Sequence, residues 1–205
     1  LQRRHLVPFL PAERQFRYPL EYGGQRTPTS QWTATAAGSA VVGLGGSGPH
    51  IASVCIGRVT DLGVTDMNNM GAAMAPAAAD TLYNYFQDTG SKPEDYDLIL
   101  TGDLSAVGSD LLRKLLEKKV KLGDEYNDCG LLMYDRDKQD VHAGGSGCGC
   151  SAAVLCSHIL GKMERQELSS VLFVGTGALM SPTSSQQGES IPGIAHLVHL
   201  VNPTA

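Results

Sequence analysis

Tyr96-Asp97-Leu98-Ile99-Leu100-Thr101-Gly102-Asp103-Leu104-Ser105 is the stretch on which the fold turns. Its first six residues are short, nearly all apolar and followed by a Gly-Asp turn. Such a run suits a strand in a sheet covered on both faces. Upstream, Asn68 or Asn69 can cap a helix from about Gly71 to Gln87, stopped by Gly90. Met74, Ala78, Leu82 and Tyr85 fall on one face of it, and Pro76 sits in its first turns. Before that helix, Ile51 to Val59 alternates apolar and small residues as a strand does.

Downstream, Ser109 caps a helix through about Lys118, with Asp110 at its positive end and Lys118 and Lys119 at its negative end. Asp128 to Tyr134 reads as a short strand and Asp135 to Asp140 as a charged turn. Gly144 to Gly147 leads into a helix near Cys150 to Gln166, with Ala153, Cys156, Leu160 and Met163 as its apolar stripe. Ser170 to Thr176 is a strand, Ser181 to Ser190 a polar loop, and Gly193 to Val201 a last strand. The order is β-α-β-α-β-α-β-β. It implies an α/β fold with parallel pairing, right-handed crossovers, helices on both faces and an antiparallel partner from the terminal pair. Gly45-Gly46-Ser47-Gly48-Pro49 is the clearest turn and divides the chain into residues 1–49 and 50–205. In the first part, residues 1–30 read as irregular and Trp32 to Val42 as a strand.

Composition narrows the function. With 42% hydrophobic residues in 205, the chain can bury one sizeable core. The net charge is −5 and no basic run or basic helix face stands out, so nucleic acid is not an expected partner. No apolar run approaches the ~20 residues of a membrane helix. Leu1 to Leu10 is a poor signal peptide, and a chain beginning at Leu reads more simply as a truncated or processed product. Five cysteines, an odd number spread among apolar segments, suit a reducing compartment. No Cys or His pairs sit at zinc spacing, so no metal and no cofactor are expected.

Ala143-Gly-Gly-Ser-Gly-Cys-Gly-Cys-Ser151 is the most distinctive string. A Gly-rich turn before a helix offers backbone N–H groups to an anion, or else only permits close strand-helix packing, and both readings stay open. The string lacks the Lys-Ser/Thr ending of a phosphate loop. Cys148 sits near the helix start, where a thiolate is stabilised, with His142 and His196 as candidate bases. A small buried residue without chemistry is the plainer reading of each cysteine, and a structural role that of His158. Gly102, Asp103 and Ser105 follow a buried-type strand, where α/β proteins bind ligands. Met67, Met70 and Met74 would wall such a pocket or belong to the core. Arg14, Arg17 and Arg26 near Tyr18 and Tyr22 would suit a planar dianion or a solvated surface.

Several strings together resemble one family. Ala12-Glu-Arg-Gln-Phe-Arg-Tyr-Pro19, Glu21-Tyr-Gly-Gly24, Gly57 to Asp66, Met74 to Asp80, Tyr96 to Ser105, Asn127-Asp-Cys-Gly130, Ala143 to Cys148, Thr176 to Pro182 and Glu189 to His196 resemble the stage V sporulation protein AD family. The resemblance runs in order from about residue 12 to 196. It implies the thiolase and ketoacyl-synthase fold, which has two similar β-α-β-α-β-α-β-β halves. Residues 50–205 would be the C-terminal half and residues 1–49 a remnant of the N-terminal half. It also implies a role in endospore formation: binding dipicolinic acid and helping move it into the developing spore. The partners would be other proteins of the spore dipicolinate channel, and the place the cytoplasm or forespore, with the soluble protein peripherally associated with the spore inner membrane. The full-length protein is expected to be a homodimer.

Three departures qualify this. Most of the N-terminal half, with its thiolase-type Cys, is missing. Leu1 to Leu10 and His199 to Ala205 do not match. Gly102-Asp103 and Ser146 stand where ketoacyl synthases place a catalytic His and Asn, and neither Gly102 nor Ser146 reproduces that pair. The resemblance therefore implies a binding protein without catalysis, with Gly102, Asp103, Ser105, Gly145, Ser146, Gly147, Cys148, Met70 and His196 as candidate ligand contacts. An acyl-CoA acyltransferase using Cys148 is the alternative. A third reading is an inactive fragment whose helix faces, Met74-Ala78-Leu82 among them, lie exposed.

Overall fold

The structure, a computed structural model, describes residues 27–202. The irregular segment with Arg14, Arg17 and Arg26, and the first two family strings, lie outside those residues. Among the described residues, seven strands and six α-helices are laid down in chain order. The strands are β1 (Trp32–Thr33), β2 (His50–Cys55), β3 (Leu98–Thr101), β4 (Tyr126–Asp128), β5 (Gly145–Ser146), β6 (Ser170–Ala178) and β7 (Gly193–Val201). The helices are α1 (Met70–Thr89), α2 (Ser105–Leu116), α3 (Cys129–Met133), α4 (Cys150–Val154), α5 (Leu160–Glu164) and α6 (Pro182–Gln186).

The main sheet has the order β2-β7-β6-β3-β4. Strand β3 is parallel to both β4 and β6, while β7 is antiparallel to β6 and to β2. Only β7 therefore runs against the rest, as the terminal β-β pair predicts. Residues alternate across the sheet. Ile99, Leu172, Val174 and Leu197 pack with Met74, Ala78, Leu82, Leu112 and Leu116 of α1 and α2. Leu100, Val171 and Leu200 pack with Cys129, Cys150, Val154, Ile159 and Met163 on the opposite face. Both faces are covered, which is why β3 has no polar alternation. The face Met74-Ala78-Leu82 is fully inside this core, which corrects the expectation that it lies exposed. The exposed large apolar side chains lie elsewhere, among them Ile56, Val59, Leu62 and Leu179.

Helix α1 is built as expected. Asn69 Oδ1 accepts from the Ala72 N–H, and Gly90 at φ +67° returns its N–H to the Phe86 carbonyl. Other elements differ from the expectations. Trp32 to Val42 contributes only the two residues of β1. The strand expected to reach Val59 ends at Cys55. Beyond it the chain continues as an extended strap, held by the paired N–H and carbonyl groups of Thr60 and Gly193 and by a two-pronged Arg58–Asp80 ion pair. Ser109 does not cap α2. The helix starts at Ser105, and Ser109 lies inside it accepting from the Tyr126 hydroxyl. Asp128 to Tyr134 is not a strand: β4 ends at Asp128, whose carboxylate accepts from the Gly130 N–H and turns the chain into α3. The polar loop after β6 contains α6.

Between α4 and α5 the backbone makes a π turn over Leu155–Ile159. The buried positions are Cys150, Val154, Ile159 and Met163, spaced four, five and four. The five-residue step falls on the π turn, which keeps the stripe facing the sheet. The expected stripe had followed regular spacing; of its members only Met163 is fully buried. His158, read as structural, is exposed on this turn.

Candidate functional site

Parallel strands β3 and β4 end side by side, each in an aspartate: Asp103 two residues past Thr101, and Asp128 as the last residue of β4. Asp128 is completely buried. Its Oδ2 accepts from Thr101 Oγ1 at 2.6 Å and the Leu104 N–H at 2.9 Å; its Oδ1 accepts from the Ser105 and Gly130 N–H groups, both at 2.8 Å. One carboxylate thereby caps the starts of α2 and α3 together. Ser105 is held at φ +52°, an uncommon conformation for a residue with a Cβ. Its backbone N–H is fixed on Asp128 and its Oγ donates to the Gly145 carbonyl at 2.6 Å, so the surroundings on both sides hold that geometry.

Asp103 fills the adjoining space. Its Oδ2 accepts from Ser146 Oγ at 3.0 Å and the Gly147 N–H at 3.1 Å, and its Oδ1 accepts from Thr176 Oγ1 at 3.1 Å. The Asp103 carbonyl also accepts from Gln31 Nε2. Gly102 lies against β6, where a Cβ would come within 3.0 Å of the Thr176 backbone nitrogen. The Gly144–Gly147 turn is bound on its outer side by β1, through Trp32 N–H to Gly144 O and Ala34 N–H to Ser146 O, both 2.8 Å.

Thus Gly102, Asp103, Ser105, Gly145, Ser146 and Gly147 do converge. The turn is not an open anion cradle, however. The Gly147 N–H serves Asp103, and the Gly144 N–H donates to the Val141 carbonyl. Cys148 sits beside this cluster and is exposed. Met70, the first residue of α1, is partly buried against the core, and His196 is exposed on β7 with its Nδ1 accepting from the Gly57 N–H. His142 faces Asp140 at 3.6 Å. Both candidate bases for Cys148 are therefore turned to other groups. Met74 is in the core, so Met67, Met70 and Met74 form no pocket wall. Among the described residues no cluster of His, Cys, Asp and Glu could hold a metal ion, and no helix is long and apolar enough to cross a membrane.

Sequence reasoning passed over Asp128, Thr101 and Thr176. For Asp103 a signal was present, an acid just after a short apolar strand, but β4 is only Tyr126-Asn127-Asp128, too short and polar to read as a strand that ends in Asp128. Burial raises the Asp103 carboxyl above its ordinary range, against the opposing pull of Ser146, Gly147 and Thr176. Burial likewise raises Asp128 to about 6, outweighing its donors. A carboxyl raised from 3.8 to about 6 on folding binds its proton more tightly in the folded chain. Its contribution to stability is full below about pH 4 and is lost as pH rises through 6. About two units correspond to about 3 kcal/mol. The expected result is that the stability difference between this chain and its Asp128→Asn variant narrows by roughly that amount from pH 4 to pH 7 in urea unfolding. A difference that is flat with pH would mean that Asp128 titrates as it does in the unfolded chain.

Residues 7–201 match the family model described as Stage V sporulation protein AD (SpoVAD), further at both ends than the quoted strings reach. Part of Leu1 to Leu10 and part of the His199 to Ala205 tail, both expected not to match, thus do. Stage V sporulation protein AD of Bacillus subtilis (strain 168) is 52% identical over 186 residues, covering 90% of this chain and 55% of that protein. The chain spans about half the length of this curated relative. Among solved structures, the tetronic acid condensing enzyme AbyA1 is 13% identical with a TM-score of 0.43, over 78% of this chain and 49% of that one. The 3-oxoacyl-[acyl-carrier-protein] synthase III of Aquifex aeolicus VF5 is 10% identical with a TM-score of 0.38, over 72% and 44%.

Proposed function

This chain belongs to the stage V sporulation protein AD family, and on that premise we propose that it binds dipicolinic acid and assists its uptake into the developing spore without catalysing a reaction. The observation that carries the reading is how the space between the β3–α2 turn and the Gly144–Gly147 turn is filled. Gly102 and Ser146 stand at positions where acyl transfer needs an imidazole and an amide, and Ser146 and Gly147 already donate to Asp103. Condensation requires unspent donors aimed at a developing oxyanion. A turn whose donors are spent on an internal carboxylate supports a shaped, rigid wall instead.

In this reading the planar ligand lies on the rim of that wall away from β1, beside Ser146, Gly147 and the exposed Cys148. Asp103 holds the rim from behind. Dipicolinate carries two carboxylates, and a buried carboxyl shifted toward its neutral form repels them less than an ordinary aspartate would. In the full-length protein the channel proteins of the spore inner membrane are the expected partners, with a homodimer as the assembly.

Calorimetry with dipicolinate tests the placement, on this chain and on the full-length relative. Ser146→Leu puts a bulky apolar side chain on the rim and removes one Asp103 donor. The expected result is an affinity at least about tenfold weaker, equivalent to about 1.4 kcal/mol. Undiminished affinity in that variant would take this turn out of the site.

A further inference from the structure

The opposite end of β3 carries a second feature. A cleft of about 410 Å³ opens between the last turn of α1, the link that follows it and the loop after α2. That size is within the range of small-molecule sites. Lys92 enters from the link and Lys119 and Lys121 from the loop, while Phe86 and Val120 form an apolar floor. Glu94 is the acidic residue of the lining.

In a chain with a net charge of −5, the local charge corrects the reading that no basic run stands out. From Arg113 to Lys121 there are five basic residues and one acidic residue, Glu117. Arg113 is withdrawn from the surface: its guanidinium donates to the Leu122 and Gly123 carbonyls and lies 4.7 Å from the Tyr126 ring centroid. The cations left to the cleft are therefore lysines. Lys119 Nζ is held 4.3 Å from the centroid of the Tyr83 ring on α1, which fixes one ammonium across the gap between the helices.

Lysines without an arginine fork act as point charges. They suit a charge-dense phosphate better than the two-pronged recognition of a planar carboxylate. We propose that the cleft between α1 and α2 binds a phosphate group carried on a small organic body that rests on Phe86 and Val120. The site is separate from the Asp103 rim, because Lys92 precedes β3 and Asp103 follows it. Its success or failure leaves the dipicolinate reading untouched.

Two arms test it on the full chain. In the first, inorganic phosphate is titrated into isotope-labelled protein. Saturable shifts are expected at the amides of residues 90–94 and 119–121. In the triple variant Lys92→Gln, Lys119→Gln, Lys121→Gln, at unchanged thermal midpoint, the affinity should fall at least about tenfold. The double variant Lys92→Gln, Lys121→Gln leaves Lys119 on Tyr83 and is read the same way if the triple variant does not fold. In the second arm the protein is sedimented with phosphatidylglycerol vesicles and with phosphatidylcholine vesicles. Saturable phosphate shifts support a soluble phosphate ligand. Binding to the anionic vesicles alone, lost in the variants, supports a lipid headgroup. No binding in either arm, or equal binding by the variants, overturns the proposal.

Discussion

Replacing Asp128 with Ala is expected to destabilise the chain by at least about 3 kcal/mol, a large fraction of the ~5–15 kcal/mol that holds a typical domain folded. The substitution removes one acceptor and strands four buried donors: the Thr101 hydroxyl and the N–H groups of Leu104, Ser105 and Gly130. Each unsatisfied buried donor costs about 1–3 kcal/mol, and three of the four are backbone groups that cannot rotate away. The Thr101 hydroxyl retains a partial escape through the Tyr126 hydroxyl, 2.9 Å away. The loss should be cooperative, because α2 and α3 share the same cap. Urea unfolding followed by circular dichroism reads it. A midpoint within experimental error of the parent would mean that the helix starts are held by something other than this carboxylate.

Gly108→Val is the second large effect, at about 3 kcal/mol. Helices α1 and α2 cross where Gly71 faces Gly108. A Cβ on Gly108 would lie 2.8 Å from the Gly71 Cα and 2.9 Å from its carbonyl oxygen, and one on Gly71 would lie 2.7 Å from the Gly108 nitrogen. These are backbone atoms, so no side-chain rotation relieves the clash. The helices must separate, and the contacts of Leu82 and Leu112 in the shared core loosen with them. Gly43→Val is the matched control, since a Cβ there meets nothing within 4 Å. The two thermal midpoints should diverge clearly. Equal midpoints would show that the crossing tolerates a wider spacing.

The fold was legible where local chemistry and tertiary demand agree. Asn69 and Gly90 bracket α1 because both are cap residues used as caps. Gly193–Val201 is an apolar run with no competing helical spacing, and it forms β7 over those same residues. Legibility failed where a side chain works at long range. Ser109 has the composition of a cap but sits four residues inside α2, because the N-terminal donors are already satisfied by Asp128 from another strand. Asp128-Cys-Gly-Leu-Leu-Met133 reads as a strand from its apolar content. The Asp128 carboxylate folds back on Gly130 instead and starts a helix. The π turn in the Cys150–Glu164 helix shifts the buried stripe by one residue, which regular helical spacing does not foresee.

The candidate site was half legible for the same reason. Asp103 and Ser105 were identifiable from a strand end and Ser146 from a Gly-rich turn, whereas only the family resemblance implied that Gly102 and Ser146 share one site. That Asp103 would occupy the very donors proposed for a ligand depends on how far apart β3 and β5 sit, a quantity set by Gly130, Gly144 and Thr176 rather than by the turn itself. Cys148 illustrates the converse. Its position near a helix start suggested chemistry, yet His142 and His196 are committed to Asp140 and Gly57.

Binding of dipicolinate without its transformation is the property proposed for this chain that is most open to a direct test. The most direct measurement places one preparation in a calorimeter with dipicolinate and, in parallel, with acetyl-coenzyme A while free coenzyme A is followed by chromatography. The account predicts a saturable heat with dipicolinate and no coenzyme A release above the uncatalysed rate. Steady release of coenzyme A, or the absence of any heat with dipicolinate, would contradict it.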